Sequence, residues 1–331
     1  MAVVSNKVVE DALALAESGA VERAFHMLER GIAERNGLAA ATLAQWRLSG
    51  QIIRRDLGLA RQLYGTAADL GIQAAAPIHI ALLANGAGGI SREWQEALGR
   101  LETLATRDGL AARQIELLRK ADLTDEGEPR RVAHGVARME HPSIATFSGF
   151  LSPEECAYLV ERAASMMQPS VVVHPKTGAL VRDPVRTAKS AGFPFVLEDP
   201  VIHAINRRIA AATGTGYAQG EPLQVLRYDD GDEYRLHSDA LPSGENQRVL
   251  TFLVALNDGY QGGATEFPDL SFSWKGKPGD ALRFVNVDEK GVADPRCRHA
   301  GTPVIRGTKY LLSKWIRQNP LDLRGPPGRP F

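Results

Sequence analysis

The chain changes its periodicity near residue 122, and this change most constrains what it can fold into. Residues 8 to about 121 are rich in Ala, Leu, Glu and Arg and carry apolar side chains at helical spacing. Residues beyond 140 form short β-rich runs separated by Gly, Pro, Asn and Asp. The sequence therefore predicts an α+β multidomain chain with a helical domain, a polar linker, a β-rich domain and a tail, at residues 1–121, 122–140, 141–320 and 321–331.

The helical half contains a recurring pattern. Gly37, Gly71 and Gly109 each precede a pair of alanines, at separations of 34 and 38 residues. We expect each Gly to end one helix and each Ala pair to let the next helix pack closely. The pattern resembles tetratricopeptide-like helix-pair repeats, and about three units fit. This resemblance implies an α-solenoid with a concave surface for a peptide or partner protein, and the alternative is a helical dimerisation or stabilising domain.

Two helices are predicted at the start of the β-rich domain. One opens at Ser152, which can cap the helix, with Pro153 at its first position, and the other covers about 200–213. Six strands are predicted after them: Leu223 to Tyr228, Arg248 to Asn257, Leu270 to Trp274, Asp280 to Val287, Thr302 to Ile305 and Lys309 to Arg317. Strands of this length and spacing suit a barrel or sandwich.

Composition argues against several classes of partner. The 39 basic and 39 acidic residues balance, so no net field attracts nucleic acid or an anionic membrane. The longest apolar run, Val249 to Leu256, is too short to span a bilayer, and the first residues do not resemble a secretory signal. With two cysteines, Cys156 and Cys297, a disulfide framework is not expected. We therefore expect a soluble cytoplasmic protein that binds neither nucleic acid nor membrane.

The segment Tyr234-Arg-Leu-His237-Ser-Asp239 and the later His299 contain the residue types of a metal site. In an extended chain, residues i and i+2 project from the same face, so His237 and Asp239 can reach one metal. Two imidazoles and one carboxylate suit Fe(II) and leave adjacent coordination positions open. An isolated His-x-Asp pair is weak support, because such a pair also occurs in ordinary solvated turns. Cys297 lies two residues before His299 and is interpreted as a small half-buried side chain, not as a ligand.

Lys309, ten residues after His299, strengthens the metal hypothesis. A 2-oxo dicarboxylate that chelates iron holds its second carboxylate several ångströms away, where a buried cation offsets the cost of desolvation. Lys309 can provide that cation. On the predicted strand from Lys309 to Arg317, Trp315 shares the face of Lys309, which makes it a wall of the pocket, a core residue, or both.

The region from about 141 to 318 resembles the catalytic domain of the prolyl 4-hydroxylase family of 2-oxoglutarate oxygenases. The matching stretches occur in the family's order: 144–156, 186–192, 221–228, 237–239, 262–268, 277–284 and 299–317. The resemblance implies a double-stranded β-helix, or jelly roll, with iron at its open end.

The same resemblance implies roles and cofactors. His237, Asp239 and His299 bind Fe(II); Tyr228, Thr265, Lys309 and Trp315 surround 2-oxoglutarate. The implied reaction consumes 2-oxoglutarate and O₂, releases succinate and CO₂, and hydroxylates the substrate, with ascorbate a candidate additional cofactor. The cofactor supplies the oxidising chemistry, while the protein positions and shields it.

The substrate is less constrained by the sequence. The family resemblance implies that residues 174–184 form a loop near the substrate. Its Gly and Pro residues suit a mobile lid, and a disordered surface loop is the alternative. Arg182, Arg186 and Arg248 are candidates for binding a peptide carbonyl or a substrate carboxylate. A helical repeat domain favours a peptide or protein substrate, plausibly hydroxylated at proline.

Other hypotheses remain at this point. The aromatic content is low at 6%, and no ladder of tyrosines is present to bind a proline-rich helix, so a free amino acid or small metabolite is the alternative substrate. A different class of function is a protein-binding repeat scaffold with a catalytically silent metal domain. The intact ligand set and Lys309 count against this scaffold. A non-oxidative metalloenzyme of cupin type has no use for Lys309.

Overall fold

The computed structural model of the chain describes residues 7–86, 91–173, 180–182, 185–242 and 246–322, with the side chains of 171–173 and 180–182 left out. These residues divide into two compact units. The helical unit extends to Gly127 and includes residues 195–203, whereas the β-rich unit comprises 128–194 and 204–321. One boundary between them, after Gly127, lies within residues 122–140, whereas the boundaries around 195–203 lie outside that segment.

The helical unit is built from seven helices in its described part, and each packs against the next along the chain. They are α1 (Lys7–Glu17), α2 (Val21–Ala33), α3 (Gly37–Ser49), α4 (Leu57–Asp69), α5 (Ala75–Asn85), α6 (Trp94–Ala105) and α7 (Gly109–Lys120). Buried alanines such as Ala40, Ala44 and Ala60 line the contacts between α3 and α4. Their small side chains allow close approach of the helices, as the sequence predicts.

The predicted role of the glycines in this unit is wrong at two of three positions. Gly37 and Gly109 are the first residues of α3 and α7 and do not end a preceding helix. The preceding Asn36 and Asp108 explain the difference, because their side chains accept hydrogen bonds from backbone N–H groups of the first turn. Gly71 follows α4 with φ of +93° and fits the prediction.

The β-rich unit contains sixteen short strands among its described residues. They are β1 (Val136–Met139), β2 (Ile144–Phe147), β3 (Gln168–Pro169), β4 (Val171–Val173), β5 (Leu180–Arg182), β6 (Lys189–Phe193), β7 (Leu223–Tyr228), β8 (Tyr234–His237), β9 (Arg248–Ala255), β10 (Tyr260–Gly262), β11 (Thr265–Phe267), β12 (Phe272–Trp274), β13 (Ala281–Val285), β14 (His299–Gly301), β15 (Val304–Gly307) and β16 (Lys309–Arg317). Two helices accompany them, α8 (Pro153–Ala164) and α9 (Pro200–Thr213).

Two antiparallel sheets form the core of this unit. The larger has the order β1-β2-β13-β9-β16-β7-β6-β3, and the smaller has the order β12-β11-β14-β8. Apolar residues of both sheets meet in one buried cluster, including Phe284 and Leu311 from the larger sheet and Phe267 from the smaller. This arrangement is a double-stranded β-helix, so the predicted fold is confirmed.

Most local predictions in the β-rich unit agree with the structure. Strands β7 and β16 and helix α9 have the predicted limits, and Ser152 caps α8 with a reciprocal bond to Glu155. The strand predicted from Leu270 begins later, at Phe272, because Pro268–Leu270 forms a 3₁₀ turn. Strand β1 lies inside the segment predicted to be a linker.

No helix among the described residues is both long enough and apolar enough to cross a lipid bilayer.

Two glycines with positive φ, Gly279 and Gly149, differ in how closely other atoms surround them. Gly279 has φ of +88°, and a Cβ there would overlap the carbonyl oxygen of Leu151. Gly149 has φ of +61° but open space around it. We expect Gly279→Ala to lower the free energy of unfolding by roughly 3 kcal/mol. Gly149→Ala should cost only about 1 kcal/mol, from backbone strain alone. Urea denaturation monitors both, and equal losses would contradict the packing argument.

Candidate active site

Three side chains from the smaller sheet and its margin converge on one point. His237 ends β8, His299 begins β14, and the antiparallel register of these strands places the two histidines opposite each other. Asp239 lies in the bend just after β8. Its carboxylate oxygens are 3.5 Å from Nε2 of His237 and 3.6 Å from Nε2 of His299. One ligand atom from each residue lies within 4.8 Å of the others, so the three predicted ligands form one potential metal site.

Backbone carbonyls orient both imidazole rings toward the site. Nδ1 of His237 is 2.8 Å from the carbonyl oxygen of Arg235, and Nδ1 of His299 is 3.1 Å from that of Cys297. A proton on each Nδ1 leaves Nε2 as the atom that can coordinate a metal. Nε2 of His237 is buried and has no hydrogen-bond partner in the described part of the chain. An orphaned buried nitrogen beside a carboxylate is what a metal ligand requires, so the residues fit a divalent ion.

Aromatic rings hold the histidines in place. The Tyr234 ring stacks on His237 with 3.4 Å between centroids and 12° between planes. Phe284 meets the His299 ring edge to face at 4.6 Å, and Phe267 lies 5.2 Å from it. These contacts restrict rotation of the imidazoles, so the ligand geometry is set before any metal binds.

The protonation states also suit metal binding. Burial lowers the pKa of His299 to about 4, although Asp239 opposes this shift, so the imidazole is neutral at neutral pH. Burial alone would raise the pKa of Asp239, but His299, His237 and the Thr251 hydroxyl together bring it below its ordinary value. The site therefore presents an ionised carboxylate and a neutral His299 imidazole, the forms that bind metals.

A narrow pocket extends from the three ligands into the space between the sheets. It brings together the residues that the sequence assigned to 2-oxoglutarate, which are Tyr228, Thr265, Lys309 and Trp315. Leucines from β7, β9 and β16 line it as well, namely Leu226, Leu253 and Leu311. A narrow apolar pocket with a metal site and a cation suits a small dicarboxylate.

Lys309 is the buried cation of this pocket, with 4% of its surface exposed. Its Nζ donates to the carbonyl oxygen of Gly263 at 2.8 Å and lies 5.1 Å from the centre of the Tyr228 ring. Burial lowers the pKa of Lys309 to about 8, and Lys275 contributes to this shift. Lys309 has no carboxylate partner among the described residues, so an incoming carboxylate would compensate a charge that the protein leaves unpaired.

The three arginines predicted near the substrate have different surroundings. Arg248 forms a bidentate ion pair with Glu221, at 2.6 and 2.9 Å, and its guanidinium lies 3.9 Å from the Trp315 ring centroid. Arg186 lies 5.5 Å from the Tyr234 ring. The Arg182 side chain, and residues 174–179 and 183–184 of the predicted lid, lie outside the described part. The substrate roles of these arginines and of the lid stay predictions.

Several residues around the site were not identified from the sequence. Thr251 and Asn286 lie behind Asp239, Glu221 holds Arg248, and Tyr234 stacks on His237. Tyr234 had no usable signal, because residues three apart in a regular strand project from opposite faces. Thr251 and Asn286 had none, because only the pairing of β9 with β13 brings them together. Cys297 is buried and contributes its carbonyl, not its thiol, to the site.

Comparison with known proteins agrees with the geometry of the site. The family model described as "2OG-Fe(II) oxygenase superfamily" matches residues 223–317, which contain all three metal ligands and Lys309. The fold and the site thus define a 2-oxoglutarate-dependent Fe(II) oxygenase, with Fe(II) as metal and 2-oxoglutarate as co-substrate.

Individual relatives narrow the class. Prolyl 4-hydroxylase 1 of Arabidopsis thaliana is 38% identical over 196 residues, which cover 54% of this chain and 69% of the relative. Prolyl 4-hydroxylase subunit alpha-1 of Rattus norvegicus is 32% identical, with coverage of 56% and 36%. A solved structure, the 2OG complex of viral collagen prolyl hydroxylase from Paramecium bursaria Chlorella virus-1, is 28% identical. It covers 53% of this chain and 95% of that one, with a TM-score of 0.42. The chain belongs to the prolyl 4-hydroxylase family.

The pKa of Lys309 leads to a prediction about pH. The cationic form attracts a carboxylate, and this form is lost as pH rises through about 8. We therefore expect 2-oxoglutarate to bind about tenfold more weakly at pH 9 than at pH 7. Anaerobic calorimetry on the protein loaded with Mn(II) measures this dissociation constant. Lys309→Met should bind weakly with little dependence on pH over this range, and an unchanged wild-type constant from pH 7 to 9 would contradict the assignment.

Proposed function

We propose that this protein hydroxylates a peptidyl residue, plausibly proline, and releases succinate and CO₂ as co-products. The observation that supports the oxidative reaction most directly is that the three metal ligands and the buried Lys309 line one pocket. Proline as the target rests on the relatives, whose names describe prolyl 4-hydroxylases.

Each group of residues in the pocket has a distinct task. His237, Asp239 and His299 would hold Fe(II), and with 2-oxoglutarate and O₂ the iron supplies the oxidising power that replaces a substrate hydrogen with hydroxyl. Lys309 would bind the distal carboxylate of 2-oxoglutarate, and the hydroxyl of Tyr228 would donate to the same carboxylate. The leucine walls exclude water, which strengthens these electrostatic contacts and protects the reactive centre from solvent.

The substrate would approach the metal past Trp315. This side chain is 7% exposed, and its Nε1 has no hydrogen-bond partner among the described residues. Arg248 lies across the Trp315 ring, and Glu221 engages its Nε and Nη2. The Glu221 pair leaves Nη1 of Arg248 as a donor for a peptide carbonyl. This oriented donor supports a substrate with backbone carbonyls.

The helical unit adds support for a polymeric substrate. Stacked helix pairs commonly bind an extended peptide or a partner protein along their surface. A free amino acid or small metabolite is the second candidate, favoured by the low aromatic content of the chain. A catalytically silent scaffold is the least supported hypothesis, because loss of activity usually removes a metal ligand. The cytoplasmic location remains a prediction.

The substrate hypothesis predicts a difference between peptides and free amino acids. Protein with Fe(II), 2-oxoglutarate and ascorbate should release succinate in proportion to a mass gain of one oxygen atom in proline-containing peptides. Free proline at the same concentration should give at least tenfold less product, since it lacks the amide carbonyls that Arg248 would contact. Mass spectrometry of both substrate sets measures this.

Two controls separate the possible failures. His237→Ala should abolish succinate release with every substrate, because one metal ligand is missing. If wild-type protein hydroxylates only free amino acids, the peptide hypothesis is wrong but the oxygenase class stands. If it neither releases succinate nor forms the weak visible charge-transfer band with Fe(II) and 2-oxoglutarate without O₂, the protein is not an active oxygenase.

A further inference from the structure

A chain of buried polar groups lies behind the carboxylate of Asp239. The Thr251 hydroxyl donates to Oδ2 of Asp239 at 2.7 Å, and Nδ2 of Asn286 donates to the Thr251 hydroxyl oxygen at 2.9 Å. Thr251 is 0% exposed, Asn286 1% and Asp239 5%. Polar groups buried this deeply in a hydrophobic unit are retained only when their hydrogen bonds are satisfied.

We infer that Thr251 and Asn286 are positioning residues of the metal centre, which fix the rotation of the Asp239 carboxylate relative to the two histidines. This inference rests on the Fe(II) oxygenase assignment and concerns residues that do not touch the metal. The inference follows from the way in which the network contacts the two carboxylate oxygens of Asp239. Oδ2 receives the Thr251 proton and lies 3.6 Å from Nε2 of His299, whereas Oδ1 lies 3.5 Å from Nε2 of His237 and outside that bond.

The directions of the hydrogen bonds show how the network engages the carboxylate. Thr251 has one hydroxyl proton, which can go to Asp239 at 2.7 Å or to Oδ1 of Asn286 at 3.3 Å. The shorter bond to a charged acceptor is the stronger one. Asn286 then donates to one of the two lone pairs of the Thr251 oxygen. Both hydrogen bonds thus point toward Oδ2 of Asp239 and restrict rotation of its carboxylate.

The fold holds both residues rigidly. Thr251 is in the middle of β9, between β13 on one side and β16 on the other, opposite Phe284 and Trp315 respectively. Asn286 follows β13, and its backbone N–H donates to the carbonyl oxygen of Val249 at 3.0 Å. The carboxylate is therefore oriented by the larger sheet, while the two histidines come from the smaller sheet. The metal centre depends on both sheets for this reason.

The test compares Thr251→Val with Thr251→Ser in the full-length protein. Valine has nearly the shape of threonine but lacks the hydroxyl, whereas serine keeps it. We measure the Fe(II) dissociation constant by anaerobic competition with a chelator, and the midpoint of thermal unfolding for each variant. Thr251→Val should bind Fe(II) about 10 to 100-fold more weakly. Thr251→Ser should remain within about threefold of the wild type, because its hydroxyl can make both bonds. Wild-type affinity in Thr251→Val would overturn the inference.

A double variant separates positioning from structural support. Thr251→Val leaves the buried amide of Asn286 without its acceptor, which destabilises the fold. Thr251→Val combined with Asn286→Leu removes both polar groups and should recover part of the thermal stability. Fe(II) binding should stay as weak as in Thr251→Val, because nothing then orients Asp239. Recovery of Fe(II) affinity together with stability would show a merely structural role and overturn the inference. The assignment of 2-oxoglutarate to the pocket would be unaffected, since Lys309 is tested separately.

Discussion

The pairing of β14 with β8 is the interaction on which the site depends. It places His299 opposite His237, although sixty-two residues separate them in the sequence. A one-residue slip of this register would turn one imidazole to the other face of the sheet. The register of β14 against β8 shifts between His299 and Gly301, so His299 and His237 are paired on one side of this irregularity. The two-histidine site thus depends on the pairing of two strands that are distant in the sequence, so local sequence alone does not produce it.

Charge balance explains why Asp239 and Lys309 can share a pocket with apolar walls. Asp239 contributes one negative charge and Lys309 one positive charge, so the pocket is close to neutral before anything binds. A divalent metal would change this balance to plus two. A dicarboxylate would then restore neutrality, with Lys309 available to offset one of its charges. Because uncompensated charge is costly in a buried site, the metal prepares the pocket for an anionic co-substrate.

Sequence predicted those parts of the fold and site that depend on short separations. Examples are the limits of β7 and β16, the cap of α8 and the ten-residue spacing of His299 and Lys309. Each of these features depends on residues that lie close together in the sequence. The prediction was wrong where two local signals compete, as at Gly37, where capping by Asn36 starts a helix at the glycine. It was silent where contacts are non-local. Thr251 and Asn286 are 35 residues apart, and only the β9–β13 register makes them neighbours.

Arg248 is a second example of a residue whose role depends on contacts that are distant in the sequence. From sequence it was one candidate surface arginine among three, but Glu221 holds it in two bonds and Trp315 fixes the plane of its guanidinium. Glu221 also accepts from Nε of Arg317, so two cations share one carboxylate and one positive charge remains. Arg248 therefore presents a fixed, partly neutralised donor at the Trp315 wall. A donor already oriented by its neighbours loses little conformational entropy when it binds a carbonyl. A freely rotating surface arginine would lose more.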